Sequence, residues 1–401
     1  MHYTGIAKHL KLIETLKIRE MRRLPLFALA RLQQMFLNEK LTQLNGQTVI
    51  NSFFPPFPSH AFGKLGLSLQ ALLRKEIIPI SCYIAITNKC NFKCWHCSKA
   101  FRNNEDLPLE TIQRTIEDLL DLGVAIIGFT GGEPLMRVDL EPIIRKIGSR
   151  ATTYLFTTGE GLTPERAKTL KESGLFGIAI SLDSSRKEVH NKLRGKTDAF
   201  DIALRAVEMS FNNEFYTILQ VVARKDFINN DMPQYIELAK QLGVHEIRII
   251  EPMPTGHLIN IEDCLLTPEE REKLKQVHIE VNKRKDYPTV ASFAYIEDES
   301  MYGCGAGVQH MHIDAQGNVC PCDFTPLSFG NIKEESLAAA WLRLRAAFKR
   351  PRCGCFLLEN KELVKDAFKG SLPLDKEIST LLCQKCNKSK LPRYYRLLGW
   401  N

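Results

Sequence analysis

The 401-residue sequence lacks an uninterrupted apolar stretch of about eighteen residues, the length that a membrane-spanning helix needs. It also lacks the basic start, short apolar core and cleavage site of a secretion signal, so we expect no export. Aromatic and glycine residues do not interleave with the basic ones as in an RNA-binding module, which argues against a nucleic-acid partner. The twelve cysteines are clustered rather than spread as a disulfide framework, which favours a reducing, cytoplasmic location.

The positive charge lies almost entirely at the N-terminus. Residues 1–75 hold eleven Lys or Arg and three Glu, a difference of eight that equals the net charge of the whole chain. Residues 5–45 predict two helices with a break at Leu24–Pro25, the first basic and the second apolar, and a rigid aromatic, proline-rich segment follows at 52–59. This pattern is typical of helices that bind an anionic membrane surface, such as the inner face of a membrane. The alternative is that the helices pack on the outside of the folded domain, with their charges exposed to water.

Three cysteines within eight residues, Cys90, Cys94 and Cys97, are the most informative feature of the chain. A cubane iron–sulfur cluster normally takes four cysteine ligands, so a loop that supplies three leaves one iron with an open coordination position. An open position on a metal is where a ligand can react. A zinc knuckle, or three unrelated thiols, would fit the same three residues.

A second motif begins about forty residues further on. Gly131, Gly132, Glu133 and Pro134 follow an apolar run that predicts a strand. Two glycines allow a backbone to approach a ligand closely, and a carboxylate at the end of a strand can bind an ammonium group. Alone, this motif would more often be an ordinary turn.

Together the two motifs resemble the radical S-adenosylmethionine (SAM) superfamily, whose C-x3-C-x2-C signature has a ring residue, here His96, before its last cysteine. The resemblance implies that Cys90, Cys94 and Cys97 hold a [4Fe–4S] cluster whose fourth iron is chelated by SAM. An electron, from a donor such as flavodoxin or ferredoxin, then cleaves SAM to a 5′-deoxyadenosyl radical that abstracts hydrogen from a substrate carbon. The SAM-binding residues that the resemblance implies are His96, Gly131, Gly132, Glu133, Pro134, Thr157, Ser181, Asp183 and Arg194. For Thr157 and Ser181, ordinary capping of a strand end is the alternative.

From residue 82 onward, short apolar runs alternate with amphipathic helical patterns, which predicts consecutive βα units and a parallel sheet. The six predicted strands are Tyr83–Ile86, Val124–Phe129, Thr153–Thr157, Gly177–Leu182, Thr217–Ala223 and Glu246–Ile250. Six such units match the partial (β/α)6 TIM-like barrel of the family, an α/β fold. We therefore predict a helical extension over residues 1–75, a barrel over 76–290 and a small cysteine-rich domain over 300–395.

Seven of the twelve cysteines lie beyond residue 300. The spacing from Cys304 through Gly317 to Cys322 resembles the SPASM and twitch extensions of radical SAM enzymes, which hold one or two auxiliary iron–sulfur clusters. The candidate ligands are Cys304, Cys322, Cys353, Cys355, Cys383 and Cys386. Beyond Trp341 the spacing departs from the usual SPASM pattern, so a second cluster is in doubt, and a structural zinc at Cys383 and Cys386 is an alternative. Cys320 is interpreted as a spare thiol, and Cys82 and Cys264 as packed structural thiols.

These features favour a radical SAM oxidoreductase or synthase that acts on an unactivated carbon of a lipid or membrane-associated substrate, with peripheral membrane contact and a reaction that could form a carbon–carbon bond. The alternative is a maturase of a ribosomal peptide or protein. We rank it second because the N-terminal region shows no evident alternating strand pattern for a peptide-recognition domain. A non-catalytic iron–sulfur or zinc-binding protein would leave the Gly-Gly-Glu-Pro motif unexplained.

Overall fold

A computed structural model of the protein describes residues 2–103, 105–386 and 389–401. The strands are β1 (His2–Tyr3), β2 (Leu41–Leu44), β3 (Gln47–Val49), β4 (Ser81–Thr87), β5 (Ile126–Gly131), β6 (Thr152–Thr157), β7 (Gly177–Ser181), β8 (Tyr216–Val222), β9 (Glu246–Ile250), β10 (Thr289–Ser292), β11 (His310–Ile313) and β12 (Val319–Cys320). The helices that surround the sheet are α4 (His60–Leu73), α5 (Leu109–Asp121), α6 (Leu140–Ile147), α7 (Pro164–Glu172), α8 (Lys187–Arg194), α9 (Ala199–Asn212), α10 (Met232–Gln241), α11 (Pro268–Asn282) and α12 (Phe293–Ile296). The N-terminal helices are α1 (Gly5–Ile13), α2 (Arg19–Arg22) and α3 (Leu26–Met35), and the C-terminal helices are α13 (Leu337–Ala347), α14 (Phe356–Glu359), α15 (Lys361–Ala367), α16 (Lys376–Lys385) and α17 (Arg393–Leu397).

The main sheet has nine strands in the order β10-β9-β8-β7-β6-β5-β4-β11-β12. Strands β4 to β10 run parallel to their neighbours, and at least one helix follows each of β4 to β9. All six predicted strands are present, and the α/β barrel-type fold is confirmed. The sequence analysis missed β10 and β11, which extend the sheet at both ends.

Apolar residues on one face of each covering helix bury against the sheet. In α5 the residues Ile112, Ile116, Leu119 and Leu120 are buried, as the helical spacing predicts. Burial of each such side chain contributes about 1.5–3 kcal/mol relative to exposure. Because strands β4 to β10 are parallel, their carboxyl ends lie at one common edge of the sheet that these helices cover.

The C-terminal region is joined to the barrel through backbone pairing. Strand β11 pairs in parallel with β4, which places Met311 beside Cys82 and Ile313 beside Ile84. Strand β12 pairs antiparallel with β11 and carries Cys320. The predicted domain boundary near residue 300 therefore does not interrupt the sheet.

The prediction of helices throughout residues 5–45 was wrong for its last part. Helices occupy most of residues 5–35, with the predicted break before Leu26, but β2 and β3 form an antiparallel hairpin and β1 pairs with β2. The hairpin turn is Asn45–Gly46, and both residues have positive φ, 46° and 78°. Asn-Gly is the preferred sequence for such a two-residue turn, so the signal was present in the sequence.

The aromatic segment at 52–59 connects this N-terminal region to the barrel interior. Ser52 is fully buried, and its backbone N–H and side-chain Oγ donate hydrogen bonds to Glu246 in β9, at 2.8 and 2.6 Å. The adjacent Phe53 ring lies against Phe293, with ring centroids 5.3 Å apart. The extension therefore reaches into the barrel instead of only covering its outer surface.

Within the described residues, every helix is too short or too polar to cross a bilayer.

Candidate functional site

A cavity of about 470 Å³ opens at the carboxyl ends of the barrel strands. The predicted site residues that line it are Cys90, Cys94, His96, Cys97, Gly131, Gly132, Thr157, Ser181, Arg194, Cys304, Cys322 and Cys355. The structure therefore brings the cysteine loop, the glycine turn, several strand ends and three C-terminal cysteines to one space. Active sites of related barrels are built at this edge because loops from several strands converge there.

The loop that follows β4 presents Cys90, Cys94 and Cys97 to this cavity. Backbone hydrogen bonds tie the loop to the end of α8: the Lys93 N–H donates to the Arg194 carbonyl and the Trp95 N–H to the Leu193 carbonyl, both at 3.0 Å. Partial burial raises the pKa of Cys94, although the nearby Arg194 guanidinium acts in the opposite direction. A metal must therefore displace that proton in order to bind the thiolate, as metals do at cysteine sites. Three thiols on one short loop fit the ligand set of an iron–sulfur cluster with one open position.

The two glycines of the second motif allow close packing of the β5 turn against the cysteine loop. A side-chain Cβ at Gly131 would lie 2.1 Å from the Thr87 carbonyl oxygen, and one at Gly132 would lie 2.2 Å from the Lys89 carbonyl oxygen. The Gly132 N–H donates to Thr87 and the Glu133 N–H to Lys89, both at 2.8 Å. These glycines therefore pack against the backbone at the start of the cysteine loop and stabilise its position. They also line the cavity.

Glu133 is fully buried, outside the set of cavity-lining residues. Its carboxylate accepts hydrogen bonds from Thr157 Oγ1 and Thr158 Oγ1, each at 2.6 Å, and from the Thr158 and Leu135 N–H groups at 2.8 and 3.0 Å. Burial raises the pKa of Glu133, and these four donors act in the opposite direction. In this structure the carboxylate fixes two threonines that face the cavity. Its predicted bond to the SAM ammonium group stays a prediction.

Arg194 links the cysteine loop to the strand ends. Its guanidinium forms a two-point ion pair with Asp183, with Nε–Oδ2 and Nη2–Oδ1 distances of 2.8 and 3.0 Å, and its Nη1 donates to Cys94 Sγ at 3.7 Å. Burial alone would raise the pKa of Asp183, but the charge of Arg194 outweighs it and the pKa is lowered. Asp183 lies behind Arg194, outside the cavity lining. The predicted contact of Arg194 with SAM stays a prediction.

His96 and Ser181 face the cavity, whereas Pro134 is buried and begins a short 3-10 helix, Pro134–Met136. Burial lowers the pKa of His96 to about 4, so its ring is neutral at pH 7. Within the described part of the chain, the ring Nδ1 of His96 has no hydrogen-bond partner. A neutral ring with a free nitrogen beside three thiols is suited to contact with a bound cofactor.

Three of the six predicted auxiliary ligands also line this cavity and form what we call its C-terminal wall. Cys304, Cys322 and Cys355 line the cavity together with Glu297. Ligand atoms of Glu297, Cys304 and Cys355 lie within 4.8 Å of one another, and in the described residues this is the one group of three or more His, Cys, Asp or Glu side chains that meets this criterion. A hydrogen bond between the Cys304 and Cys355 thiols lowers the pKa of Cys304 and raises that of Cys355. Clustered thiols are the ligands that iron–sulfur clusters and zinc prefer.

The other C-terminal cysteines lie apart from that wall. Cys383 and Cys386 are at the end of α16, where the Cys386 thiol donates to the Cys383 carbonyl at 3.0 Å. The Cys353 N–H donates to the Lys390 carbonyl at 3.0 Å, so Cys353 lies beside the segment that follows Cys386. Cys320 is buried in β12, outside the cavity lining.

The sequence analysis missed several cavity residues, notably Arg248, Gln220 and Phe53. Arg248 is a basic residue in the otherwise apolar run Ile247–Ile250, and such a break in a buried strand was the available signal. For Phe53 the sequence offered no such signal, because its position in the cavity lining depends on contacts with residues that are distant in sequence.

Parallel β/α units that place three clustered cysteines at the carboxyl edge define the radical SAM class of enzymes. Comparison with family models agrees: residues 84–239 match the radical SAM superfamily, and residues 304–387 match the SPASM iron–sulfur cluster-binding domain. The chain belongs to the radical SAM superfamily and carries a SPASM domain, so it is an enzyme that uses a SAM-bound [4Fe–4S] cluster and one or two auxiliary iron–sulfur clusters.

Curated relatives have low sequence identity to this chain, but the alignments extend over most of each relative. An AdoMet-dependent heme synthase from Methanosarcina barkeri is 26% identical over 284 residues, which is 64% of this chain and 80% of the relative. A GTP 3′,8-cyclase from Helicobacter pylori is 27% identical over 254 residues, 60% of this chain and 78% of the relative.

Solved structures share the fold at lower identity. SuiB of Streptococcus suis, bound to its precursor peptide SuiA, aligns with a TM-score of 0.62 and 17% identity over 94% of this chain and 90% of SuiB. The enzyme anSMEcpe, with bound AdoMet and the Cp18Cys peptide, aligns with a TM-score of 0.53 and 20% identity over 66% of this chain and 80% of its own.

Because the glycine turn packs closely against the cysteine loop, we expect that adding one methyl group at this turn destabilises the protein. We expect Gly132→Ala to lower the free energy of unfolding by about 1–3 kcal/mol, the usual cost of overpacking, and to reduce the iron bound on reconstitution. The measurements are anaerobic urea denaturation and iron analysis. Gly305→Ala is the matched control, because its added Cβ would meet its nearest neighbour, the Cβ of His310, at an ordinary 3.5 Å. Equal stability and iron content in the two variants would contradict the expectation.

Proposed function

We propose that this enzyme modifies a carbon atom of a peptide or protein substrate. The observation that carries the proposal is the shared cavity, which is lined both by the cysteine loop and by Cys304, Cys322 and Cys355. A substrate segment that enters between them would be within reach of both.

Two structural relatives favour a peptide over the lipid that the sequence favoured. SuiB and anSMEcpe were each solved with a bound peptide, and the alignment to the SuiB–SuiA complex extends over 94% of this chain. The N-terminal region also contains the small β-sheet whose apparent absence had ranked the peptide second. None of the relatives described above is named for a lipid substrate.

In this proposal the residues of the chain bind and orient the reactants. When bound, the cluster and SAM supply a 5′-deoxyadenosyl radical that abstracts a hydrogen atom from the substrate. Cys90, Cys94 and Cys97 would hold the cluster, while Thr157 and Ser181 would position SAM at the strand ends. Apolar side chains of the cavity lining would exclude water and so protect the radical from side reactions. These side chains include Phe53, Phe156, Phe293 and Phe324.

The substrate class can be identified by tracing the abstracted hydrogen from a deuterium-labelled substrate into 5′-deoxyadenosine. We expect deuterium to pass into 5′-deoxyadenosine when reconstituted enzyme, SAM and dithionite are incubated with the peptide fraction of source cells grown in deuterated medium. The lipid fraction of the same cells should give no transfer, and protease treatment of the peptide fraction should abolish it. Mass spectrometry of 5′-deoxyadenosine is the measurement, with Cys90→Ala as the inactive control. Transfer from the lipid fraction alone would overturn the peptide assignment.

We further propose that Cys304, Cys322 and Cys355 ligate one auxiliary cluster, since these thiols share one wall of the cavity. Cys353, Cys383 and Cys386 lie outside it and are left for a second site.

Iron analysis separates these ligands from the spare thiol. In a background where Cys90, Cys94 and Cys97 are all alanine, we expect Cys355→Ala to lose about four iron atoms per chain, one cubane cluster. Cys320→Ala is the matched control, because this thiol is also buried but lies outside the cavity lining. Unchanged iron in Cys355→Ala would refute the ligand assignment.

Peripheral membrane binding is a second candidate function, and a specific surface favours it. Ile6, Leu10 and Ile13 are 80%, 63% and 55% exposed and fall on one face of α1, and Leu26 and Phe27 at the start of α3 are 84% and 50% exposed. The exposed basic residues nearby in sequence are Lys17, Arg19, Arg22 and Arg23. Apolar side chains among cations complement an anionic bilayer surface.

Vesicle sedimentation tests this surface. We expect binding to vesicles that contain phosphatidylglycerol and weaker binding to phosphatidylcholine alone, with a loss at high salt because exposed charges are screened. The double change Leu26→Ser and Phe27→Ser should weaken binding at least about tenfold. The reason is that full burial of each apolar side chain contributes roughly 1.5–3 kcal/mol to the binding free energy. Leu342→Ser is the control, because Leu342 is 69% exposed on α13, outside this surface. Negligible binding of the unmodified protein would dismiss the candidate.

A further inference from the structure

Arg248 in β9 is a buried cation that none of the matched motifs includes. It is 3% exposed and contributes to the cavity lining. Its guanidinium carbon lies 4.2 Å from the ring centroid of Phe53, 5.2 Å from those of Phe156 and Phe293, and 5.7 Å from that of Tyr83. Four aromatic rings hold the charge in place and exclude water from it, but they do not neutralise it.

The hydrogen bonds of this guanidinium are incomplete. Nη1 donates to Ser52 Oγ at 3.0 Å, and the Tyr83 side chain is a second hydrogen-bond partner of the guanidinium. Within the described residues, Nε has no hydrogen-bond partner and no carboxylate lies within ion-pair distance of Arg248. Glu246, two residues earlier on the strand, is close enough for its charge to act on Arg248, and Ser52 Oγ bridges the two side chains. The Glu246 oxygens already accept hydrogen bonds from Ser52 and, at 3.0 Å, from the Tyr216 hydroxyl, so this carboxylate does not reach the guanidinium directly. A buried charge of this kind normally has a partner, because its desolvation is costly.

The other carboxylates of the cavity do not provide that partner. Asp323 is bound to His310 and His312, at 3.0 and 3.3 Å. Glu297 lies close enough for the charge of Arg248 to act on it, but its carboxylate is grouped with Cys304 and Cys355. The unused donor of the Arg248 guanidinium can therefore bind an anionic group of a molecule that enters the cavity.

The position of Arg248 relates such a molecule to the radical site. In the sheet register Arg248 lies beside Gln220 of β8, and Gln220 lies beside Ser181 of β7, and all three line the cavity. Adjacent strands are about 4.8 Å apart, so Arg248 is about 10 Å across the sheet from Ser181. A substrate anchored at Arg248 would extend over Gln220 toward the SAM end of the cavity.

We infer that Arg248 is the binding site for a carboxylate group of the substrate, with Ser52 positioning the guanidinium. A planar guanidinium can donate two hydrogen bonds to one carboxylate, which fixes orientation as well as position. This inference rests on the proposed function only in that the cavity receives the substrate, and it applies to whichever cell fraction transfers deuterium.

A cycle of two changes tests the contact directly. The fraction that transfers deuterium is used as isolated and after methyl esterification of its carboxylates, and each form is assayed with unmodified enzyme and with Arg248→Met. Esterification should lower kcat/KM at least about tenfold for the unmodified enzyme, the effect of losing one charge-assisted hydrogen bond. It should have no further effect in Arg248→Met, because the partner of the carboxylate is already absent.

Arg248→Lys provides the second variant, since it keeps the charge without the planar fork and should retain part of the sensitivity to esterification. Iron content and circular dichroism check that each variant is folded. The inference is overturned if esterification affects unmodified and Arg248→Met enzymes equally, or affects neither. Because the deuterium experiment identifies the substrate class separately, a lipid result there would leave this test intact.

Discussion

The ion pair between Arg194 and Asp183 is the contact on which the geometry of the site depends. Asp183 follows β7 directly and accepts a hydrogen bond from the Val222 N–H at the end of β8, at 3.2 Å. Arg194, at the end of α8, reaches from that carboxylate to Cys94 and also binds the cysteine loop through its backbone carbonyl. One buried pair thus connects two strand ends, a helix end and the cysteine loop. Loss of either partner would leave a buried charge, which typically costs about 3–5 kcal/mol.

The sequence was sufficient for the parts of the fold that depend on local pattern. Six strands and the amphipathic helices follow from apolar spacing, and the cysteine and glycine motifs are contiguous in the chain. Strands β10 and β11 are only four residues each and carry polar residues such as Thr289 and His310, so their spacing gave no clear signal. Their pairing partners, β9 and β4, are remote in the chain, and only the assembled sheet identifies them.

The same distinction applies to the site. Cys304, Cys322 and Cys355 could be selected as ligands from the sequence, but their separation from Cys353, Cys383 and Cys386 could not, because it depends on how the C-terminal segment folds back. Ser52 and Phe53 likewise belong to a segment that looked like a linker. Glu246 and Arg248 hold that segment against the barrel through hydrogen bonds with Ser52. Contacts between residues almost two hundred positions apart produce no periodic pattern in the sequence.

The pairing of β11 with β4 has a consequence for electron movement. Strand β4 runs directly into the cysteine loop, and β11 belongs to the region that carries Cys304 and Cys322. Since both strands share one continuous hydrogen-bonded ladder, the cysteine loop and the segment around Cys304 and Cys322 cannot separate without breaking the sheet. The gap that an electron would cross between clusters held by these two segments is therefore set by the sheet itself, and substrates of different shape must adapt to a fixed spacing.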